Sequence, residues 1–408
     1  MPFAERLCIE MKVLQMNCWF GEGSTGKIVS AMHEFLESHH DESYIIYGLG
    51  EKSEDSHAFR TTPKLVRKMQ SLRARITGYP YGGCIWGTMS AIKHIREIKP
   101  DVIHIHCING YMVNIYKILT YVKENHIPTV LTNHAEFMYT GGCTHSIDCE
   151  KWKTGCYSCP RIKTEHPITY FFDQTRNEWK KMEQAYSNFE KLYICNVSDW
   201  VTNRACLSPF YQGYPVETVF NGLDTSVFYY REASKEKLLY GDKPSVVHVT
   251  PGFSDQIKGG EHVLEMARRF PMVNFYIVGD AGGASTDLKN VHFLGRAQTQ
   301  EALADYYSAA DVCLLTSKRE TFSMVTAESL CCGTPVVGFK AGGPESIALK
   351  DYSIFVEQEN DGELEIALRK MLSSSANKIE ISREACSQYN KEKMCEEYYR
   401  IYRELLHE

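Results

Sequence analysis

Eleven short runs of Val, Ile, Leu and Phe recur along the chain, and almost none of them alternates polar with apolar residues. They lie at 12–17, 43–47, 101–106, 128–133 and 192–197, then at 245–250, 274–279, 291–294, 311–316, 335–339 and 353–356. A strand with one wet face shows a two-residue alternation. A strand that is apolar on both sides must be covered on both sides, which is the situation of parallel strands flanked by helices. Helical patterns fill the intervals between the runs, so the expected unit is a right-handed βαβ crossover. The predicted class is α/β, with two doubly wound parallel sheets.

Length supports two bodies rather than one, because 408 residues exceed what a single core usually holds. The boundary is expected near 221-NGLDTSVF-228, giving domains 1–222 and 223–387. The tail 391–408 aligns Met394, Tyr398, Ile401 and Leu405 on one helical stripe, so the segment 388–408 is expected to pack back on the first domain.

A net charge of −6 argues against general affinity for nucleic acid. Residues 1–10 carry no apolar stretch of the kind a secretion leader needs, and no run approaches the roughly 20 apolar residues of a membrane span. With 15 cysteines, an odd number, reduced thiols in a cytoplasmic setting are expected rather than a disulfide framework.

In open parallel sheets, ligands bind beyond the carboxyl ends of the strands. That rule selects few residues. Strand 101–106 ends at His106, and strand 128–133 is followed by His134; His104 is placed on the opposite sheet face and read as structural. Strand 12–17 leads to 21-GEGSTGKI-28, in which Gly21, Gly26 and Lys27 match a phosphate-binding P-loop. The residue that should hold magnesium, a Ser or Thr, is Ile28. Strand 245–250 leads to Lys258-Gly259-Gly260, and strand 311–316 to Glu320, Thr321, Phe322 and Ser323, then a helix bearing Glu328. Backbone N–H groups at such a helix start, with the helix dipole, attract an anion. A carboxylate on either side could accept hydrogen bonds from paired hydroxyls of a sugar or ribose, which suits a nucleotide-sugar.

Taken together, these elements resemble the family-4 retaining glycosyltransferases of the two-domain GT-B fold. The main carrier is 317-SKRETFSMVTAESLCCGTPVVGFKAGGPESI-347, similar to that family's E-x₇-E, A-x-G-x-P-V and G-G-x-x-E elements. Further support comes from 221-NGLD-224, 258-KGG-260, 278-VGD-280 and 308-SAADVCLLTS-317. In the first half, 23-GSTGK-27, 101-DVIHIH-106, 132-TNHAEF-137 and 143-CTHSIDCEKWKTGCYSCP-160 are similar to the subgroup that builds bacterial surface polysaccharides.

The resemblance implies two Rossmann-like domains facing a central cleft. It implies transfer of a hexose from a UDP- or GDP-sugar to a glycan or lipid-linked acceptor, with no cofactor required for catalysis. His134, Lys258 and Glu320 would be catalytic. Donor binding would involve Gly23, Ser24, Gly26, Gly252, Lys258, Gly279, Arg296, Glu320, Thr321, Phe322, Ser323 and Glu328, with His106 and Glu136 on the acceptor side. Where the family usually has an Arg for the diphosphate, this chain has Phe253, so Arg296, Lys318 and Arg319 are candidate replacements. Rival readings are a nucleotide-sugar 2-epimerase on the same fold, a degenerate sugar-nucleotide-binding protein and a P-loop NTPase.

Two features stand outside this frame. Cys143, Cys149, Cys156 and Cys159 end in a C-x₂-C knuckle and suggest a structural zinc. Segment 61–80 holds five basic residues and no acidic one, with Leu65, Val66, Met69, Leu72 and Ile76 on one helical face. It reads either as a helix on an anionic membrane or as a helix covering its own domain.

Overall fold

The computed structural model describes residues 10–163, 169–232 and 243–407; the segment 1–10, read for a secretion leader, lies outside them except for its last residue. The chain divides into two compact units. The first comprises residues up to Val197, Val201–Val219 and Cys395–Glu408, and the second Ser198–Trp200 and Phe220–Met394.

The sheet of the first unit has seven strands: β1 (Lys12–Asn17), β2 (Glu42–Tyr47), β3 (Ala58–Arg60), β4 (Val102–Ile105), β5 (Thr129–Asn133), β6 (Leu192–Asn196) and β7 (Val216–Thr218). Their order is β3-β2-β1-β4-β5-β6-β7, and every pairing is parallel. The second sheet has six: β8 (Ser245–Thr250), β9 (Asn274–Gly279), β10 (Val291–Gly295), β11 (Val312–Leu315), β12 (Val336–Phe339) and β13 (Ser353–Val356). Their order is β10-β9-β8-β11-β12-β13, again parallel throughout. All eleven apolar runs are strands. The two not foreseen, β3 and β7, are three-residue edge strands whose sequences, AFR and VET, carry no apolar run.

Burial explains the runs. Every residue of β4, β5, β11 and β12 is buried. In the second unit Val246, Phe275, Ile277, Val312, Leu314 and Val337 form one core with Val263, Met266, Leu364 and Leu368 from the covering helices. At about 25 cal/mol per Å² of apolar surface, such double-sided coverage is what holds a parallel sheet together.

The terminal helix Lys391–His407 delivers its last residues to the first unit, where Tyr398 and Tyr402 are buried beside β4 and β5. The Tyr402 hydroxyl lies 2.6 Å from Nδ1 of His104, whose Nε2 lies 2.8 Å from the Thr132 hydroxyl. Thr132 in turn donates to Tyr398. Because that hydroxyl has spent its proton, it accepts from Nε2–H of His104, and Nδ1 accepts from Tyr402. Both ring nitrogens are satisfied with the imidazole neutral.

The two strand orders fix where a ligand could sit. Each sheet reverses its winding at its centre, between β1 and β4 and between β8 and β11, and the crevice at the carboxyl ends there is the default binding position.

Candidate active site

In the second unit the loops after β8 and β11 are stitched together at the reversal point. The Thr316 hydroxyl donates to the Lys258 carbonyl (2.8 Å), and the Lys318 amide donates to the Ile257 carbonyl (2.8 Å). Gly259 has φ +66°, and a Cβ there would lie 2.4 Å from the Thr316 carbonyl oxygen. Only glycine permits both the left-handed backbone and the close approach. The stitching sets the Lys258 ammonium 2.6 Å from a carboxylate oxygen of Glu320, with both side chains about one-fifth exposed. A charged pair so placed keeps partial contact with water, and a phosphate arriving there could draw the ammonium away from its partner.

Glu320 is itself fixed from behind. Its amide donates to the Ala341 carbonyl (3.0 Å), and its carbonyl accepts from the Gly343 amide (2.8 Å). A Cβ on Gly343 would lie 2.4 Å from the Thr321 carbonyl, so the glycine lets the loop after β12 pass close beneath. Ser323 adopts φ +80°, unusual for a non-glycine residue, and its hydroxyl accepts from the Thr326 amide to cap the helix Met324–Cys331. Such a backbone costs on the order of 1–3 kcal/mol and persists where surroundings enforce it, commonly at sites of function. The Thr321 carbonyl accepts from the Ser198 hydroxyl, and Phe322 is buried with its ring near Phe220 and Tyr389. Side-chain contact with a ligand is thereby taken from Phe322, which anchors the loop instead.

One turn into that helix, Glu328 accepts a hydrogen bond from the Tyr307 hydroxyl (3.0 Å). Tyr307 is fully buried, and desolvation pushes its pKa well above the usual phenol range, so it stays a donor. Sequence reasoning missed Tyr307. In the loop 341-AGGPES-346, Glu345 accepts from the amides of Ala341 and Gly342 and holds the loop in place. The Gly-x-x-Glu spacing at this helix start is a capping arrangement.

The remaining donor-side residues are spread around the edge. Gly279 has φ +137°, with space for a Cβ blocked at 1.7 Å by the Thr250 carbonyl oxygen, so packing alone demands glycine there. Gly252 shapes the turn after β8, its amide directed to the Thr250 hydroxyl. Phe253 is 4% exposed, in edge-to-face contact with Phe293, so the position where a cation was expected belongs to the core. Of the candidate replacements, Arg296 is 70% exposed and paired with Asp280. Lys318 pairs with Glu359, and Arg319 lies 4.9 Å over the Trp200 ring.

In the first unit, His106 and His134 meet at the carboxyl ends of β4 and β5, with Nδ1 and Nε2 3.0 Å apart. Burial pushes the pKa of His134 down to about 3 and that of His106 well below the usual range, so both rings are neutral and share one proton between them. Nε2 of His106 is buried and has no hydrogen-bond partner among the described residues. His104 is not on the opposite face: its ring centroid is 3.8 Å from that of His106, because residues two apart on a strand point the same way. Its structural role stands on the tyrosine and threonine contacts described above. Glu136 is sealed at 0% exposure, accepting from Tyr139, from both the amide and hydroxyl of Ser146, and lying 3.4 Å from Arg204. It braces the loop around Cys143.

The glycine loop after β1 is tight. Gly21 and Gly23 have positive φ, the Gly21 amide donates to the Gly26 carbonyl, and a Cβ on Gly26 would lie 3.1 Å from that of Trp19. Gly23 and Ser24 are exposed at the first turn of the helix Gly23–Ser38. Ile28 is 2% exposed, turned into the core where a metal-binding hydroxyl would be useless.

Cys143, Cys149, Cys156 and Cys159 line one cavity of about 20 Å³, with Trp152 at its wall. Among the described residues no group of three or more His, Cys, Asp or Glu side chains is arranged to hold a metal. Burial raises the Cys156 thiol to about 12 and Cys143 further, and the Cys156 thiol points at the Thr140 carbonyl. None of the described cysteines is in a disulfide.

Residues 231–393 match the family model described as glycosyl transferases group 1. Along the whole chain there is similarity to WcaC of Escherichia coli, named as a glycosyl transferase of colanic acid biosynthesis: 20% identity, covering 97% of this chain and 100% of WcaC. Over 47% of this chain, and 54% of the relative, there is 28% identity to N-acetyl-alpha-D-glucosaminyl L-malate synthase of Bacillus anthracis. Among solved structures, sucrose-phosphate synthase of Thermosynechococcus elongatus superposes with a TM-score of 0.69 at 16% identity over 97% of this chain and 99% of the other. HepE of Anabaena, in complex with UDP and glucose, gives 0.62 at 16% identity over 96% and 99%. At such identities the superpositions carry the fold, which is that of the GT-B glycosyltransferases.

Proposed function

We propose, for a chain that carries a glycosyl transferases group 1 domain over residues 231–393, retaining transfer of a hexose from a nucleotide-sugar to a glycan or lipid-linked acceptor in polysaccharide biosynthesis. The observation that carries this reading is the Lys258–Glu320 pair at the reversal point of the second sheet, with Glu328 held by Tyr307 eight residues on. The relatives named for colanic acid biosynthesis and for a UDP-bound complex support the pathway and the UDP-type donor. The place of action would be the cytoplasm, at the inner membrane face where a lipid-linked acceptor would be met.

The bond to be broken joins the anomeric carbon to a diphosphate, and negative charge grows on the leaving phosphate as it parts. Lys258 opposes that charge, aided by the amides at the Ser323 helix start. When Lys258 turns to the diphosphate, Glu320 is released to accept from sugar hydroxyls, while Glu328 receives the ribose. His134, neutral at its strand end, hydrogen-bonds the sugar near the anomeric centre, and His106 fixes which of its nitrogens carries the proton. The departing phosphate takes the acceptor's proton, so the retaining path needs no carboxylate nucleophile.

Thermal-shift titration with UDP-, GDP- and ADP-sugars tests the donor site. One donor should stabilise the wild type, and Glu320→Ala and Glu328→Ala should each lose that response. A shift retained in both variants would remove these residues from the site. Product configuration by NMR tests retention, and donor conversion without an acceptor would instead point to the epimerase.

A further inference from the structure

The basic segment around residue 70 is a helix, Lys64–Thr77, but its apolar stripe is turned outward. Leu65, Met69, Leu72 and Ile76, one residue per turn on a single side, are 70%, 62%, 57% and 42% exposed, and only Ala74 is buried. A helix that merely covers its own domain does the opposite and buries its stripe.

Two neighbouring segments enlarge the face. The helix Ile85–Ile98 begins against the middle of the first, where the Cys84 amide donates to the Gln70 side chain, and it exposes Ile85, Trp86 (73%) and Met89. At the other end the Tyr170 amide donates to the Arg75 carbonyl, and Arg75 donates to the Tyr170 hydroxyl; Tyr170, Phe171 (72%) and Phe172 are exposed there. Apolar surface this concentrated on a monomer marks an interaction site.

Charge says which kind. Arg67, Lys68, Arg73 and Arg75 rise from the same helix, and no described carboxylate pairs with any of them. A membrane surface is anionic and accommodates long apolar and indole side chains beside basic ones. Arg67, Lys68, Ser71, Arg75, Tyr111 and Tyr170 also line an open pocket of about 330 Å³. Tyr111 is held there at φ +57°, an outlier for an aromatic residue.

We propose that this face of the first unit seats on an anionic lipid membrane, with a lipid phosphate received in the basic pocket. The apolar stripe enters the acyl boundary, and the guanidinium groups and tyrosine hydroxyls meet the headgroups. This placement does not depend on the transfer reaction, and vesicle binding needs no donor.

Co-sedimentation of the full chain with vesicles tests it. The protein should pellet with vesicles of equal parts phosphatidylglycerol and phosphatidylcholine, remain in solution with phosphatidylcholine alone, and be released as salt is raised. Arg67→Ala with Lys68→Ala should weaken anionic-vesicle binding roughly thirtyfold, and Met69→Glu with Leu72→Glu should abolish it. All four side chains are at the surface, so melting temperature and donor-induced thermal shift should be unchanged. Failure of the wild type to pellet, or unaltered binding by both variants, would overturn the proposal. So would a concentration-dependent dimer, seen by sedimentation velocity, that Met69→Glu with Leu72→Glu dissolves, since a second copy would then be the occupant.

Discussion

Each unit follows the first strand of its sheet with a loop that joins lysine to glycine, 26-GK-27 after β1 and 258-KGG-260 after β8, and the two loops have been put to different uses. Lys258 faces a carboxylate at 2.6 Å. Lys27 is exposed, with no hydrogen bond or ion pair among the described residues, one position before a core isoleucine. The first unit keeps its strand-end chemistry in neutral, buried imidazoles, and the second keeps it in a partly exposed ion pair. The contrast shows that motif spacing locates a loop while the neighbouring strand decides its chemistry. Lys258 has Glu320 opposite it because β11 adjoins β8; the corresponding strand beside β1 supplies His106.

The sharpest way to break the comparison is to remove the charges of the second unit. Lys258→Ala should lower the transfer rate by on the order of 10²–10³-fold, the usual cost of one group that stabilises developing negative charge. Glu320→Ala should act chiefly on the same rate, and the double variant should fall well short of the product of the two losses because the residues share one interaction. Steady-state rates with the donor chosen by thermal shift measure this. Rates near wild type in Lys258→Ala would place the two lysine loops on an equal footing.

Core membership of Phe253 makes the next test. Phe253→Ala should destabilise by about 3–5 kcal/mol, read in denaturant unfolding of the second unit, because an edge-to-face partner of Phe293 is lost and a cavity remains. Phe253→Arg, which restores the residue expected there from the resemblance, should be no milder and should not improve donor affinity, since the side chain would enter the core.

For the first unit the test is pH. His104, His106 and His134 are all held neutral by burial, each with its pKa lowered from the ordinary value near 6.5. In that window the unfolded chain binds more protons than the folded one, so stability is full above about pH 6.5 and declines as pH falls toward the folded value, about 3 for His134. Each imidazole contributes at most about 1.4 kcal/mol per pH unit crossed. The melting temperature should therefore drop between pH 7 and 4, and His134→Gln should flatten that drop. An unchanged slope in the variant would mean that the pair at β4 and β5 is hydrated and charged.

Much of this was legible beforehand, and the exceptions have physical reasons. Doubly covered strands advertise themselves by continuous apolar runs, so both sheets and their carboxyl ends could be read. Glu320, Glu328 and Lys258 follow from the strand-end rule. Tyr307 did not, because a buried tyrosine on a covering helix has the sequence signature of any core residue. The spacing of the cysteines brought all four to one cavity, but spacing does not give the geometry of their sulfurs. The stripe at 65–76 was readable as a stripe, while its direction depended on what the rest of the unit offered to cover it.

A smaller effect separates the two carboxylates of the second unit. Tyr307→Phe removes one hydrogen bond to Glu328 and leaves the ring in place, so it should cost donor affinity about fivefold, the equivalent of roughly 1 kcal/mol, with little change in the rate at saturating donor.

The smallest expected effect returns to the first loop. Lys27→Ala removes an exposed side chain, so stability should move by no more than about 0.5 kcal/mol. A P-loop lysine works with a neighbouring hydroxyl on magnesium, and the neighbour here is Ile28, 2% exposed. Magnesium-dependent ATP or GTP hydrolysis should accordingly be absent from wild type and variant alike. Hydrolysis in the wild type that Lys27→Ala abolished would reverse the assignment of the two loops, because the exposed lysine would then be the one that meets a phosphate.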